Sequence, residues 1–267
     1  MDKNTHQMSE LLRSIPSARH STFYRSYVKM GYSLNKQGFR CTEFKDRKDI
    51  NVMTVGCSNA LGWNVPITHR YSKVFCDKVS ESTGKSVADW NLGLPAKSND
   101  YIARIILNTT KLLKPDIVLI GFTGISRREY WDCKGKCIDF VPSNVFKIVK
   151  QKAPEDLHIH KRLATLQSEY ENINNFVRNF QCINSVLQGT SWYYTISSEE
   201  ETGGSVEGGI KSLVPQEKYA GDLEIKDLTA DGIYPGVHSH YDLGVALSRR
   251  YLKDSGIEIP VTEIKCL

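Results

Sequence analysis

The stretch INVMTVGCSNALG at residues 50–62 decides the fold. Its first seven residues form an apolar run that is continuous rather than alternating, as a strand reads when both faces of its sheet are covered. The run ends at Gly56 and passes straight into Cys57 and Ser58, with Gly62 a turn further on. DIVLIGF (116–122) and SWYYTIS (191–197) read the same way, and VADWNLG (87–93) is a shorter fourth strand. Between the second and third of these in chain order lies SNDYIARIILNTTKLLK (98–114), a helical pattern that Ser98 can cap at its start and Pro115 stops at its end. Strands alternating with helices predict a parallel sheet with helices on both faces, an α/β domain of three layers.

Outward from this core the pattern continues. Residues 155–188 carry apolar side chains at helical spacing (Leu163, Leu166, Tyr170, Ile173, Phe176, Phe180, Ile183, Leu187) and predict one long amphipathic helix. A last helix is expected from about Ser239 to Leu252. The acidic, glycine-rich SSEEETGGSVEGG (197–209) reads as a mobile loop. The expected organisation is a helical extension over 1–48 and the α/β domain over 49–267, with a helical insertion at about 132–188.

The chain has 267 residues, 40% apolar and 24% charged, enough for one good-sized core and ordinary for a soluble globular protein. No apolar run reaches the length of a membrane span, and the first 20 residues lack a secretory signal pattern. A cytoplasmic protein with no membrane partner is the expectation. The net charge of +5 is spread along the chain without interleaved aromatics or a binding motif, which argues against a nucleic-acid partner. Seven cysteines at irregular spacings predict reduced thiols. Cys133 and Cys137 resemble half a zinc site, but no second pair follows, and neither His238 with His240 nor His158 with His160 has a matching carboxylate at metal-site spacing. No metal is expected.

In an open parallel sheet, ligands bind beyond the carboxyl ends of the strands. Four loops there carry usable groups. VGCSNALGWNV exposes Ser58 at a helix start, WNLGLPAKSND offers the Gly93 N–H, IGFTGISRREYW offers Thr123 and Arg127, and DGIYPGVHSHYDLGVAL precedes the final helix. A serine nucleophile needs a base, an orienting carboxylate and donors for the oxyanion.

These loops, in this order over most of residues 50–252, resemble the four blocks of the SGNH (GDSL-like) hydrolase superfamily. Its Gly-Asp-Ser block matches Gly56-Cys57-Ser58, with cysteine in the aspartate position; its second glycine matches Gly93. Its Gly-x-Asn-Asp block falls on Gly121-Phe122-Thr123-Gly124, and its Asp-x-x-His-Pro block on Asp231-Gly232-Ile233-Tyr234-Pro235. The details are similar to a subgroup of bacterial and phage proteins with a Gly-Cys-Ser first block, here accompanied by Asn91-Leu92-Gly93 and by Thr123, Ser126, Arg127 and Glu129.

The resemblance implies a three-layer, flavodoxin-like SGNH fold and a serine esterase or acyltransferase with no cofactor. Its substrate would be a small-molecule or carbohydrate ester, or one bearing an anionic group. The implied nucleophile is Ser58 and the implied orienter is Asp231, with oxyanion donors from Ser58, Gly93 and Thr123. Tyr234 stands where the family has its catalytic histidine, and a phenol of ordinary pKa near ~10 stays protonated at neutral pH. The base must therefore be non-standard, with His238 and His240 the nearest candidates. Cys57, Asn59, Trp63, Tyr234, Arg127 and Glu129 are expected to contact substrate, with Glu129 bracing Arg127 and with Trp63 and Trp131 on one rim. The rival readings are a binding or scaffold protein that keeps the fold without the triad, and a cysteine nucleophile at Cys57.

Overall fold

The computed structural model describes residues 18–20, 24–133, 135, 137–142, 154–196 and 214–257, with main chain alone for residue 20 and for 154–158. The acidic loop at 197–209, Cys266 and the side chain of His158 lie outside the described residues.

The strand residues at 50–56 form β1 (Ile50–Gly56), buried along its whole length. β2 (Val87–Asn91), β3 (Ile117–Phe122), β6 (Ser191–Ile196) and β7 (Tyr219–Asp222) complete a sheet in the order β2-β1-β3-β6-β7, parallel throughout. Counted over its own five strands, this is the flavodoxin-like order 2-1-3-4-5. The order reverses between β1 and β3. A crevice opens at such a switch point, outside the carboxyl ends of the two strands.

Two apolar layers sandwich the sheet. Val52, Leu119 and Tyr193 pack with Tyr71, Phe75, Leu243 and Leu247 from α3 (Tyr71–Thr83) and α7 (Val237–Asp254). On the other face Met53, Val55, Val118 and Ile120 meet Ile102, Ile105 and Ile106 of α4 (Asn99–Leu113) and Phe176, Phe180 and Ile183 of α6 (Glu169–Val186). α4 starts where its sequence predicts: the Ser98 side chain accepts the Tyr101 N–H. Tyr27, on α1 (Tyr24–Lys29), and Phe39 and Phe44 enter the second layer as well.

Three elements differ from the sequence expectation. The single helix expected over 155–188 is two, α5 (Pro154–Leu166) and α6, because Ser168 breaks the run and caps α6 by accepting the Glu171 N–H at 3.1 Å. Between β3 and α5 stands an antiparallel hairpin, β4 (Arg128–Trp131) with β5 (Cys137–Phe140), so the segment near 132–188 is not wholly helical. β7 is a fifth strand with no apolar run to announce it. No helix among the described residues is long and apolar enough to cross a membrane.

Candidate active site

The end of β1 shows why glycine stands on either side of the switch point. Gly56 and Gly121 are register partners, and a Cβ on Gly56 would lie 2.6 Å from the Ala60 Cβ and 3.0 Å from the Gly121 carbonyl oxygen. The short helix α2 (Ser58–Leu61) can thus fold back over the strand end, with Cys57 extended at its N-cap. Gly93, after β2, serves the same packing: its Cβ would stand 2.7 Å from the Leu61 nitrogen. These contacts gather the residues after β1, β2 and β3 at one edge of the sheet.

Ser58 is the first residue of α2 and is 5% exposed, so the expected exposed serine is instead nearly buried, because β2 and its following turn close over α2. Its hydroxyl lies 3.9 Å from the Cys57 sulfur, the hydrogen bond it makes among the described residues. Cys57 and Asn59 are buried with it. The Gly93 N–H donates to the Asn91 side-chain oxygen at 2.9 Å, so the donor expected to serve an oxyanion is engaged within its own turn. Asn91 in turn donates to the Ala60 carbonyl at 2.6 Å, tying the end of β2 to α2. Thr123 is held differently. The Asn99 side chain grips its backbone from both sides, accepting its N–H at 3.1 Å and donating to its carbonyl at 2.9 Å, while the buried Thr123 hydroxyl has no partner among the described residues.

The loop entering α7 brings Asp231 to the nucleophile turn. Its carboxylate accepts from the Thr229 hydroxyl at 2.5 Å, from the Ile233 N–H at 3.2 Å and from the Asn64 side-chain amide. These bonds, led by Thr229, hold its pKa below the ordinary carboxylate value. Asn64 belongs to the turn that leaves α2 and adopts a left-handed conformation (φ 58°). Tyr234 and Thr229 close the loop through the Thr229 N–H to the Tyr234 carbonyl at 2.8 Å. The Tyr234 ring lies 6.1 Å from that of Trp63, so the residue in the histidine position faces the aromatic side of the same turn.

The two histidines of this region have different fates. His240, 1% exposed, stacks on Tyr71 with ring centroids 5.7 Å apart and accepts the Tyr71 N–H at Nδ1. Its neutral ring therefore carries the proton on Nε2, leaving no lone pair for a substrate proton. Burial, which outweighs the nearby Asp227, pushes its pKa down to about 4. It is packed as part of the core. His238 is exposed in the first turn of α7, and its backbone N–H donates to Asp227 at 3.0 Å. Asp227 also accepts the Ser239 N–H at 2.9 Å and hydroxyl at 2.7 Å. It thereby caps α7, whose N-cap Gly236 has no side chain to do so.

Arg127 is buried at 6% exposure rather than standing at an open rim. The Glu129 carboxylate, expected to brace it, meets the Arg104 guanidinium in a fork at 2.8 and 2.9 Å, because the hairpin lays Glu129 across α4. Trp63 is partly buried against Tyr27, whereas Trp131 is 55% exposed beneath Arg104. Glu129, Cys137 and Asp139 place ligand-type atoms within 4.8 Å of one another, but Arg104 pairs with the first carboxylate and Lys97 with the last at 2.5 Å, an arrangement of ion pairs. Cys133 is exposed. A surface cavity of about 590 Å³ lies near the C-terminal end of α7, lined by Tyr219, Arg249, Arg250 and Lys253 among others. It lies toward the opposite end of α7 from the loop that carries Asp231.

No family model matches the chain, and no curated protein matches it. Solved structures do. A lipase from goat rumen metagenome is similar over 75% of this chain and 97% of its own, at 10% identity and a TM-score of 0.47. A two-domain esterase active on acetylated mannans is similar over 80% of this chain and 53% of its own, at 11% identity and a TM-score of 0.49. An acetylxylan esterase from Geobacillus stearothermophilus is similar over 79% of this chain and 95% of its own, at 11% identity and a TM-score of 0.44. At this level the likeness lies in the path of the chain and assigns no residue a role.

Proposed function

We propose that this chain is an SGNH-type serine esterase or acyltransferase acting on a polar acylated substrate, a carbohydrate ester or one bearing an anionic group, with Ser58 as nucleophile. The observation that carries the reading is the hydrogen bond from Asn64 to Asp231, which ties the loop entering α7 to the turn leaving the Ser58 helix at the switch point of the sheet. In this reading Ser58 Oγ attacks the acyl carbon and its proton passes to a base. The carbon–oxygen bond to the alcohol then breaks, the alcohol leaves with that proton, and water or a second alcohol repeats the sequence on the acyl-serine. The Thr123 hydroxyl, without a partner among the described residues, and the Ser58 N–H are the donors we assign to the oxyanion. His238 is the base we put forward, because the His240 ring is spent in the core.

One observation favours the second reading, a binding protein that keeps the fold: among the described residues the Ser58 hydroxyl bonds the Cys57 thiol and no imidazole. Two variants separate the readings. The protein should hydrolyse small acetyl esters slowly, Ser58→Ala should abolish that rate, and Tyr234→His should raise kcat/KM by about a hundredfold, the lower end of what a placed base contributes. A folded Tyr234→His protein with no gain, beside a wild type whose rate survives Ser58→Ala, makes the binding protein the better account.

A further inference from the structure

The segment ahead of β1 carries no motif, yet two of its side chains meet the turn that follows Ser58. Arg40, 5% exposed, donates to the Gly62 and Val65 carbonyls, each at 2.7 Å, and reaches the Leu61 carbonyl at 3.4 Å. Of these, the Leu61 carbonyl ends a helix too short to pair it, Gly62 also accepts the Val65 N–H at 3.1 Å, and Val65 lies beyond the helix. The Tyr32 ring packs under the guanidinium, 3.9 Å from its carbon to the ring centroid, and the Tyr32 hydroxyl accepts the Asn64 N–H at 2.8 Å. Asn64 holds a backbone conformation uncommon for a residue with a side chain. Its amide then reaches Asp231.

We propose that Tyr32 and Arg40 are positioning residues of the Ser58 site, holding the 61–65 turn in the conformation from which Asn64 fixes Asp231. The proposal rests on the reading of Ser58 as nucleophile for its effect on rate, but not for its effect on Asp231. Arg40 supplies two arms in a fixed plane, which satisfies separate carbonyls at once. Tyr32 supplies one acceptor, without which the Asn64 N–H faces an aromatic ring and the left-handed turn loses its anchor. The role of the segment before β1 is then to complete the site rather than to decorate the domain.

The test uses the full chain and two measurements on Tyr32→Phe, a change that removes one oxygen and keeps the ring. The first is the rate at which Ser58 is labelled by a fluorophosphonate, where Oγ bonds to phosphorus and fluoride leaves. We expect that rate to fall by about tenfold, in line with the sensitivity of reacting groups to sub-ångström misplacement. The same change made on top of Asp231→Ala should cost nothing further. Additive losses would mark Tyr32 as a merely structural residue and overturn the proposal. The second measurement is the Asp231 carboxyl titration followed by carbon NMR, in which Tyr32→Phe should move the pKa upward toward the ordinary value. An unmoved titration overturns the proposal whatever the labelling shows. Wild-type protein that takes no label refutes the nucleophile instead and leaves the titration to decide the bracket. Arg40→Lys, which keeps the charge but loses the fork, should shift both readouts in the same direction as Tyr32→Phe.

Discussion

Acidification should weaken this protein through His240 before it reaches the carboxylates. The ring is buried, neutral and bonded at Nδ1 to the Tyr71 N–H, with a pKa lowered from 6.5 to about 4. In the unfolded chain the same ring takes a proton near its ordinary value. Between those two values the unfolded state binds a proton that the folded state refuses, so stability falls as pH falls from 6.5 toward 4 and then levels off. The difference amounts to about 3 kcal/mol, a large share of a domain's stability. Asp227 and Asp231 act elsewhere: their lowered pKa values put their losses below the ordinary 3.8, outside this window. The assay is urea unfolding at half-unit steps from pH 7.5 to 4, run on the wild type and on His240→Asn, whose amide oxygen can accept the same N–H without titrating. The wild type should lose about 3 kcal/mol more than the variant across the window. Parallel curves would refute the reasoning, because they would mean that His240 takes its proton equally in both states.

Other outcomes follow from close packing and buried charge. Gly93→Ala places a methyl group 2.7 Å from a backbone nitrogen of α2, so the helix must shift; urea unfolding should show a loss of about 1–3 kcal/mol, and an unchanged midpoint would contradict the close approach. Asp89 is the carboxylate that meets buried Arg70, at 2.6 and 3.2 Å, and Asp89→Ala strands that guanidinium at a cost of about 3–5 kcal/mol. A loss below 1 kcal/mol in the same assay would show that water reaches the pair.

The fold was legible wherever burial leaves a composition signal. β1, β3 and β6 are covered on both faces, and their apolar runs mark them within a residue. α4 declares its start through Ser98 and its stop through Pro115. β7 could not be read, because an edge strand of four residues needs neither an apolar run nor alternation. The break between α5 and α6 was readable: Ser168 followed three residues later by Glu171 is a helix-start pattern, which the longer apolar periodicity masked. For the site, the strand-end rule located Ser58, Gly93 and Thr123 at one edge, and the Asn91 amide that takes the Gly93 N–H two residues on is a local turn the sequence allows. Other partners were set at long range: Asn99 holds the Thr123 backbone, Arg104 takes Glu129 and Asp227 caps α7, and no local spacing encodes these choices.

The charges beneath the Ser58 turn explain why that long-range wiring is stable. Arg40 and Arg70 are both buried, while Asp89 is the carboxylate that Arg70 engages among the described residues. The remaining positive charge is balanced by backbone dipoles: Arg40 donates to the carbonyls of the 61–65 turn, and Arg70 to the carbonyl of Arg40 itself. A turn that opened would withdraw those carbonyls and leave a guanidinium buried without acceptors, which is the costly state for a charge in the interior. Burial pushes the Arg40 pKa down to about 10, still far above neutrality, so the charge does not escape by losing its proton. The turn is therefore locked closed by the desolvated arginine beneath it. Asn64, left-handed at its centre, is held facing Asp231 through the same lock.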